Sequence, residues 1–397
     1  MSMTAHTHPH GRFLRDVLIC SLGAYGGPEA HMSVFMDQMV VKRNYLDEKG
    51  LVELIALCSM LPGPTSTQTI VSIGYKTGGP MLALLTLLVW AVPAIIMMTV
   101  LSFLYALLSS AHLSSDVLRF ISPMAVGFII VAAWRIGRKV ITDSLTALLF
   151  CFGALTTYFS REPWIFPLVL LVGGAVSIAV ARHKNIWNRI SVRPPWRYLL
   201  LFCIFTVGAV AAGLVTADRL PHLFEHFYRY GYLVFGGGQV VVPVMHAELV
   251  DLRHYMTNDE FMTGYGLVQG LPGPMFSFAA YAGGMASRGN TMLFQIVGAL
   301  IGGISIFLPG VLLIFFVYPV WEQVKAIKAV TISLKGINAV AGGMIAAAAV
   351  ILLKAGGIQP LTLTVAGVTA VLLALRRIPA PLIVLGALAA GWLFAGR

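Results

Sequence analysis

Charge is what this chain has least of. Asp, Glu, Lys and Arg make up only 11% of it, against roughly a quarter in soluble domains. With 58% hydrophobic residues and a mean hydropathy of +0.84, that shortage excludes a water-soluble globule. Cysteine is scarce too. Cys20, Cys58, Cys151 and Cys203 lie in apolar stretches without CxxC or metal-type spacing, so they read as buried small hydrophobes. No metal and no cofactor is expected. The chain also lacks HExxH, GxSxG and a paired-carboxylate constellation, and is read as a non-enzyme. A GxxxxGK[ST] loop and room for a soluble nucleotide domain are both missing, which excludes an ATP-driven pump.

What is present is a series of apolar runs near the ~20 residues that cross a bilayer core. Candidate spans cover residues 17–41, 51–75, 81–109, 120–134, 144–160 and 164–181. A linker follows with Arg182, Lys184, Arg189, Arg193, Arg197 and Pro194-Pro195. Beyond it come 198–217, 227–250, 261–286, 291–319, 330–354, 360–375 and 379–396. The expected fold class is thus an all-α polytopic membrane protein of about 13 transmembrane segments. The formal charge of +11 and pI near 9.6 sit in short loops, which suits acidic lipid headgroups rather than nucleic acid. The polar start, with His6, His8 and His10, precedes no small-residue cleavage site, so a removable signal peptide is not expected.

The chain repeats itself. Leu61-Pro62-Gly63-Pro64 returns 210 residues later as Leu271-Pro272-Gly273-Pro274. In the same ungapped register Gly26-Gly27 falls on Gly236-Gly237, Tyr25 on Phe235, Arg43 on Arg253, Tyr45 on Tyr255 and Gly74 on Gly284. An ordered set of this kind is an internal duplication. It divides the chain into a first half (1–181), a linker with one unpaired span (182–224) and a second half (225–397). Six spans before the linker and one unpaired span after it would place the two halves in opposite orientation. The inner loops then carry roughly twice the Lys and Arg of the outer ones. The Lys42-Arg43-Lys49 loop, placed outside, strains this assignment, and re-entrant hairpins would alter the parity.

Inverted repeats with paired broken helices are the mark of secondary transporters, whose sites form where the breaks meet. Proline removes an N–H and glycine permits close approach, so each break frees backbone groups that only protein or a watery cavity can satisfy. A half-helix N-terminus carries about half a positive charge and suits an anion. The candidate substrate-binding residues are therefore Gly26, Gly27, Pro28, Pro62, Gly63, Pro64, Gly236, Gly237, Gly238, Gln239, Pro272, Gly273 and Pro274. The alternative at each break is a structural kink. Thr65, Ser66, Thr67 and Gln68 either donate to an oxyanion or cap the next half-helix. Lys335 either faces a dianion, with Asn338 beside it, or snorkels to the inner surface. Glu29, His31, His246 and Glu248 adjoin the Gly-rich breaks as proton-coupling candidates, with interfacial anchoring as the other reading. Arg43 with Tyr45 and Arg253 with Tyr255 suit headgroup anchoring or a gate.

These strings resemble the chromate ion transporter family in its long, two-domain form. Gly26-Gly27-Pro28-Glu29-Ala30-His31 and Leu61-Pro62-Gly63-Pro64-Thr65-Ser66-Thr67-Gln68 look like its first-half motifs. Phe235-Gly236-Gly237-Gly238-Gln239, His246-Ala247-Glu248-Leu249, Leu271-Pro272-Gly273-Pro274 and Phe307-Leu308-Pro309-Gly310 look like those of the second half. Ser59-Met60 and Tyr255 depart from the family pattern and leave sulfate open as a substrate. The resemblance implies bacterial chromate efflux across the cytoplasmic (inner) membrane, chromate resistance, and the proton-motive force as energy source. The partners it implies are chromate (sulfate as the alternative), protons, membrane lipid and, as an assembly, a homodimer. A channel is the competing mechanism.

Overall fold

The computed structural model describes residues 10–110, 117–160, 162, 164–181, 193–235, 241–325, 327–375 and 377–394. Every regular element among them is helical. The first half comprises α1 (His10–Gly23), α2 (Pro28–Phe35, continuing as a π-helix, Met36–Lys42), α3 (Glu48–Met60) and α4 (Thr65–Ser110). Then come α5 (Ile121–Val140), α6 (Ser144–Phe159) and α7 (Ile165–Val180). After α8 (Trp196–Val215), the second half opens with α9 (Arg219–Leu233) and α10 (Val241–His246, continuing as a π-helix, Ala247–Leu252). It goes on with α11 (Asn258–Val268), α12 (Phe278–Ala286), α13 (Met292–Ser305) and α14 (Leu308–Val317). It closes with α15 (Trp321–Val324), α16 (Lys328–Ala355), α17 (Pro360–Ala374) and α18 (Ala380–Phe394).

The segments 17–41, 51–75, 227–250 and 261–286, expected as single interrupted spans, are instead hairpins of short helices. In the first, α1 and α2 meet again at Asp16 and Gln38, 2.8 Å apart. In the second, α3 and the start of α4 close where Cys58 lies 3.8 Å from Ser72. Gly78 and Gly79 leave helical geometry and end that second leg, so α4 is two helices, the latter covering residues 80–110. In the third, Tyr230 of α9 donates to Glu248 beyond α10. In the fourth, Tyr281 of α12 donates to the Glu260 carbonyl of α11, and Arg288 pairs with Glu260.

Local chemistry explains the hairpins. Asp47 caps α3 through the Gly50 amide, and Thr257 with Glu260 forms a capping box at the start of α11. Leu61 precedes a proline, which drives it to extended geometry and stops α3. Gly63 (φ +131°) and Gly273 (φ +99°) then turn the chain where a side chain would be strained. Even the exceptions repeat at the same offset. The second legs of the first and third hairpins each contain a π-helix, and each is followed by a residue of positive φ, Asn44 and His254.

Among the described residues, five stretches are long and apolar enough to cross a bilayer: Thr65–Tyr105, Ile121–Val140, Trp196–Val215, Met292–Val320 and Lys328–Ala355. Ser144–Phe159, Ile165–Val180, Pro360–Ala374 and Ala380–Phe394 are shorter apolar helices. This is an all-α membrane protein. Small residues draw these helices together, as expected where lipid replaces the hydrophobic effect. A Cβ on Gly343 of α16 would stand 1.9 Å from the Phe150 carbonyl of α6, and one on Gly336 2.1 Å from that of Gly173 in α7. Cys20 and Cys58 are buried as expected. Cys151 and Cys203 are not: they lie on exposed faces of apolar helices.

Gly343→Val should therefore lower the melting temperature in detergent by several degrees. Gly367→Val, at a helical glycine with nothing within 4 Å, should melt with the wild type. Equal melting of the two variants would contradict the packing described for α16.

Candidate functional site

The Leu-Pro-Gly-Pro break of each half meets the end of the other half's first helix, as a reciprocal pair. The Gly63 amide donates to the Val234 carbonyl at 2.8 Å, and the Gly273 amide donates to the Ala24 carbonyl at 2.9 Å. Each partner is the other's equivalent at the 210-residue offset. Such an exchange of identical contacts is the mark of two-fold symmetry, here between two halves of one chain. It also assigns the backbone groups. The carbonyls that end α1 and α9 are satisfied across the pair, while α2 and α4 begin at the breaks, where first-turn N–H groups have no helical acceptor.

The packing around the tips is tight. A Cβ on Gly63 would lie 2.6 Å from Gln68 Nε2 and 3.2 Å from the Gly310 Cα; one on Gly273 would lie 2.8 Å from Ala94 Cβ. Gln68 Nε2 donates to the carbonyls of Pro62 (2.8 Å) and Gly310 (3.2 Å), tying the first break to the start of α14. Its Oε1 is buried without a partner. Thr67 Oγ1 accepts from Trp90 Nε1 at 3.0 Å, and Ser66 is buried beside it while Thr65 is half-buried. In the second half Ser277 is the hydroxyl of the corresponding turn, with its Oγ buried and unpartnered. Gly26 (φ +77°) and Gly27 (φ +95°) make the turn before α2. Gly236, Gly237, Gly238 and Gln239, and the side chains of Pro28 and Glu29, lie outside the described residues.

Two buried clasps hold the first and third hairpins. Asp16, wholly buried, accepts from Gln38 Nε2 (2.8 Å), Arg43 Nε (3.1 Å) and Tyr45 OH (2.7 Å). Arg43, its side chain 41% exposed, and Tyr45 are thus fastened to a core carboxylate. In the second half Glu248 accepts from Arg229 Nη2 (2.9 Å to each oxygen) and Tyr230 OH (2.8 Å). His226 Nδ1 stands 2.6 Å from Glu225 and 3.3 Å from Glu248. Asp16 and His226 are equivalent at the repeat offset, as are Gln38 and Glu248. The same two positions therefore carry the clasp in both halves, with the acid moved to the other helix.

The remaining candidates are dispersed. His31 is buried edge-on against Trp90, ring centroids 5.5 Å apart, with Nδ1 unpartnered. His246 lies against Phe261, 3.0 Å from Asn258 Oδ1. Lys335 is engaged on the surface, its Nζ 2.6 Å from Asp143 Oδ2. That ammonium, with the Thr146 amide and hydroxyl, holds the Asp143 carboxyl down at about 2. Asn338 is half-buried on α16 with its Oδ1 unpartnered. Sequence reasoning missed Asp16, Gln38, Glu225, His226 and Arg229. Asp16 carried a usable signal, being a lone carboxylate in an apolar run. Glu225 and His226 fall just before the span 227–250, while Arg229 lies inside it and shows its role only when α9 is set beside Glu248.

The chromate transporter family model matches residues 12–178 and 221–392. A chromate transport protein of Pseudomonas aeruginosa is 25% identical over 96% of this chain and 91% of its own length. One from Cupriavidus metallidurans is 22% identical over 97% and 93%. An uncharacterized transporter of Bacillus subtilis is 23% identical over 40% of this chain but 92% of its own length, so it corresponds to a single half. No solved structure matches the chain.

Asp16→Ala should be severe, because it leaves Arg43 without its carboxylate and Gln38 and Tyr45 without an acceptor. Leaving a buried donor such as Gln38 without its acceptor costs about 1–3 kcal/mol, read as a fall in the detergent melting temperature, with Asp16→Asn milder. An Asp16→Ala protein that melts with the wild type would refute the clasp.

Proposed function

The chain belongs to the chromate transporter family, and from that premise we propose that it is a secondary transporter, not an enzyme. Its cargo is chromate, moved outward across the bacterial inner membrane at the expense of the proton-motive force, which gives chromate resistance. The single observation that carries this reading is the reciprocal pairing of Gly63 with Val234 and Gly273 with Ala24. Broken helices that meet tip to tip are where transporters of this kind hold their cargo.

The topology in this reading is inverted, with nine crossings and four re-entrant hairpins in place of thirteen crossings. The bases of the first-half hairpins lie together: a Cβ on Gly78 would be 3.0 Å from His10, and one on Gly50 3.2 Å from Lys76 Nζ. Those of the second half do likewise, with Arg219 donating to the Ala286 carbonyl and standing over the Tyr255 ring. Residues 80–110 make a helix of about 46 Å, long enough to cross the membrane. At its far end Ser122 meets Asp259 and Thr263 beside the second-half bases. The two sets of hairpins thus enter from opposite faces. About two thirds of the 27 Lys and Arg then belong to the N-terminal face, which makes it cytoplasmic. Lys42, Arg43 and Lys49 join that face, and the earlier strain disappears. The repeat halves are 1–181 and 225–397, joined by the linker and α8. The whole works as a monomer or homodimer in lipid.

The anion rests at the tips, on the N-terminal amides of the half-helices. Gly26, Gly27, Pro28, Pro62, Gly63, Pro64, Thr65, Ser66, Gln68, Pro272, Gly273 and Pro274 frame it, with Gly236, Gly237, Gly238 and Gln239 filling the equivalent place by register. The free Oε1 of Gln68 must turn away for the amide to donate. Asn338 is kept as a further ligand; Lys335 is an inner-surface anchor. The tips are closed here, and cargo enters when one set of hairpins rocks from the other. A site of this kind reads shape and charge, so sulfate competes.

Gly63→Leu and Gly273→Leu should each abolish chromate uptake into inside-out vesicles under an imposed proton gradient, with membrane insertion unchanged. Excess sulfate should compete. Full uptake by both variants would remove the tips as the site; wild-type vesicles that take up no chromate would remove the cargo.

A further inference from the structure

The two clasps occupy the same register positions but differ in charge. Asp16 is balanced by Arg43, and Arg12 adds positive charge near Tyr45. That clasp has no surplus negative charge. In the second half two carboxylates, Glu225 and Glu248, share one guanidinium, Arg229. With His226 neutral, one negative charge is left over among groups that are nearly all buried: His226 and Glu248 are each 2% exposed. An uncompensated buried charge is costly, so the cluster is driven to acquire a positive partner. His226 stands between both carboxylates, and its Nε2 is buried without a partner.

We propose that the Glu225–His226–Arg229–Glu248 cluster is the proton-binding site of the transporter, and that its Asp16 counterpart binds none. One proton from the outer aqueous phase neutralises the cluster, residing on the His226 imidazole or a carboxylate oxygen. It leaves toward the cytoplasm as the hairpins change partners. This inference rests on the proposed transport reading and assigns its coupling to one half. Among the described residues, Arg229 is the one Lys or Arg paired with the two carboxylates. His222 lies 6.2 Å away on α9 (ring centroids), Tyr228, Tyr230 and Tyr232 share that helix, and α8 brings Cys203. His246 of α10 is turned to Asn258, and α13 and α14 contain no titratable residue. Placement agrees with the role. Arg219 begins α9 at the outer face and Val234 ends it at the tips, so the cluster lies between the outer water and the cargo. The π-helix that presents Glu248 adds a segment of a kind often found at functional sites.

The test uses the full chain in proteoliposomes, with two fluxes and one spectrum. Glu248→Gln, which installs the residue already found at position 38, removes the surplus charge. It should lose gradient-driven chromate accumulation but keep chromate–chromate exchange within about threefold of wild type, the size of context effects rather than of a lost site. Glu225→Gln should do the same and serves if the first variant folds poorly, whereas Asp16→Asn should retain coupling. Gradient-driven accumulation by both Gln variants, or its selective loss in Asp16→Asn, would overturn the assignment. Wild-type protein that exchanges no chromate would overturn the transport reading alone. The proton site is then decided by pH-difference infrared spectra: a carboxyl or imidazole band present in wild type and absent in Glu248→Gln supports it, and identical spectra overturn it.

Discussion

Two backbone hydrogen bonds set the rest of this structure. The amides of Gly63 and Gly273 each reach a carbonyl in the opposite half, and each must sit at positive φ to do so. Nothing else in the fold requires a Pro-Gly-Pro interruption inside apolar sequence. In lipid an unpaired amide costs several kcal/mol, so a break survives only if something answers it. Here one break answers the other half's first helix. Neither half can close its tips alone, which is a physical reason for the duplication to persist as a pair.

Buried charge adds a second constraint. Hairpins that turn back inside a membrane need their legs held together, and small apolar contacts do this weakly. The clasps use carboxylates instead: Asp16 with three donors, Glu248 with Arg229, Tyr230 and His226. Moving the acid from α1 to the π-helix after α10 preserves the clasp while changing its charge. Divergence after duplication thus kept the clasp in both halves and left a second carboxylate in one of them.

Much of this was legible in the sequence, and for a reason. Hydropathy records the solvent, and the ungapped offset records the duplication, so the all-α membrane class, the two halves and the pairing of the LPGP strings follow from residues alone. Hairpin geometry does not, because a run such as 51–75 is equally apolar whether it passes through or turns back. Only contacts such as Arg219 with the Ala286 carbonyl distinguish the cases. The site was partly legible. Break residues announce themselves as Gly and Pro, whereas Asp16 and Gln38 become meaningful only when α1 and α2 lie side by side. Lys335 had two readings in the sequence, facing a dianion or reaching the inner surface, and its pairing with the exposed Asp143 agrees with the second.

The central claim is that equivalent hairpins enter from opposite faces of the membrane. Lys42 and Leu252 are equivalent, and both are exposed at the base of their hairpins. In a background with the four native cysteines replaced, Lys42→Cys and Leu252→Cys should be labelled by a membrane-impermeant maleimide from opposite sides, Lys42→Cys from the cytoplasmic side. Labelling of both from the same side would contradict the inverted arrangement.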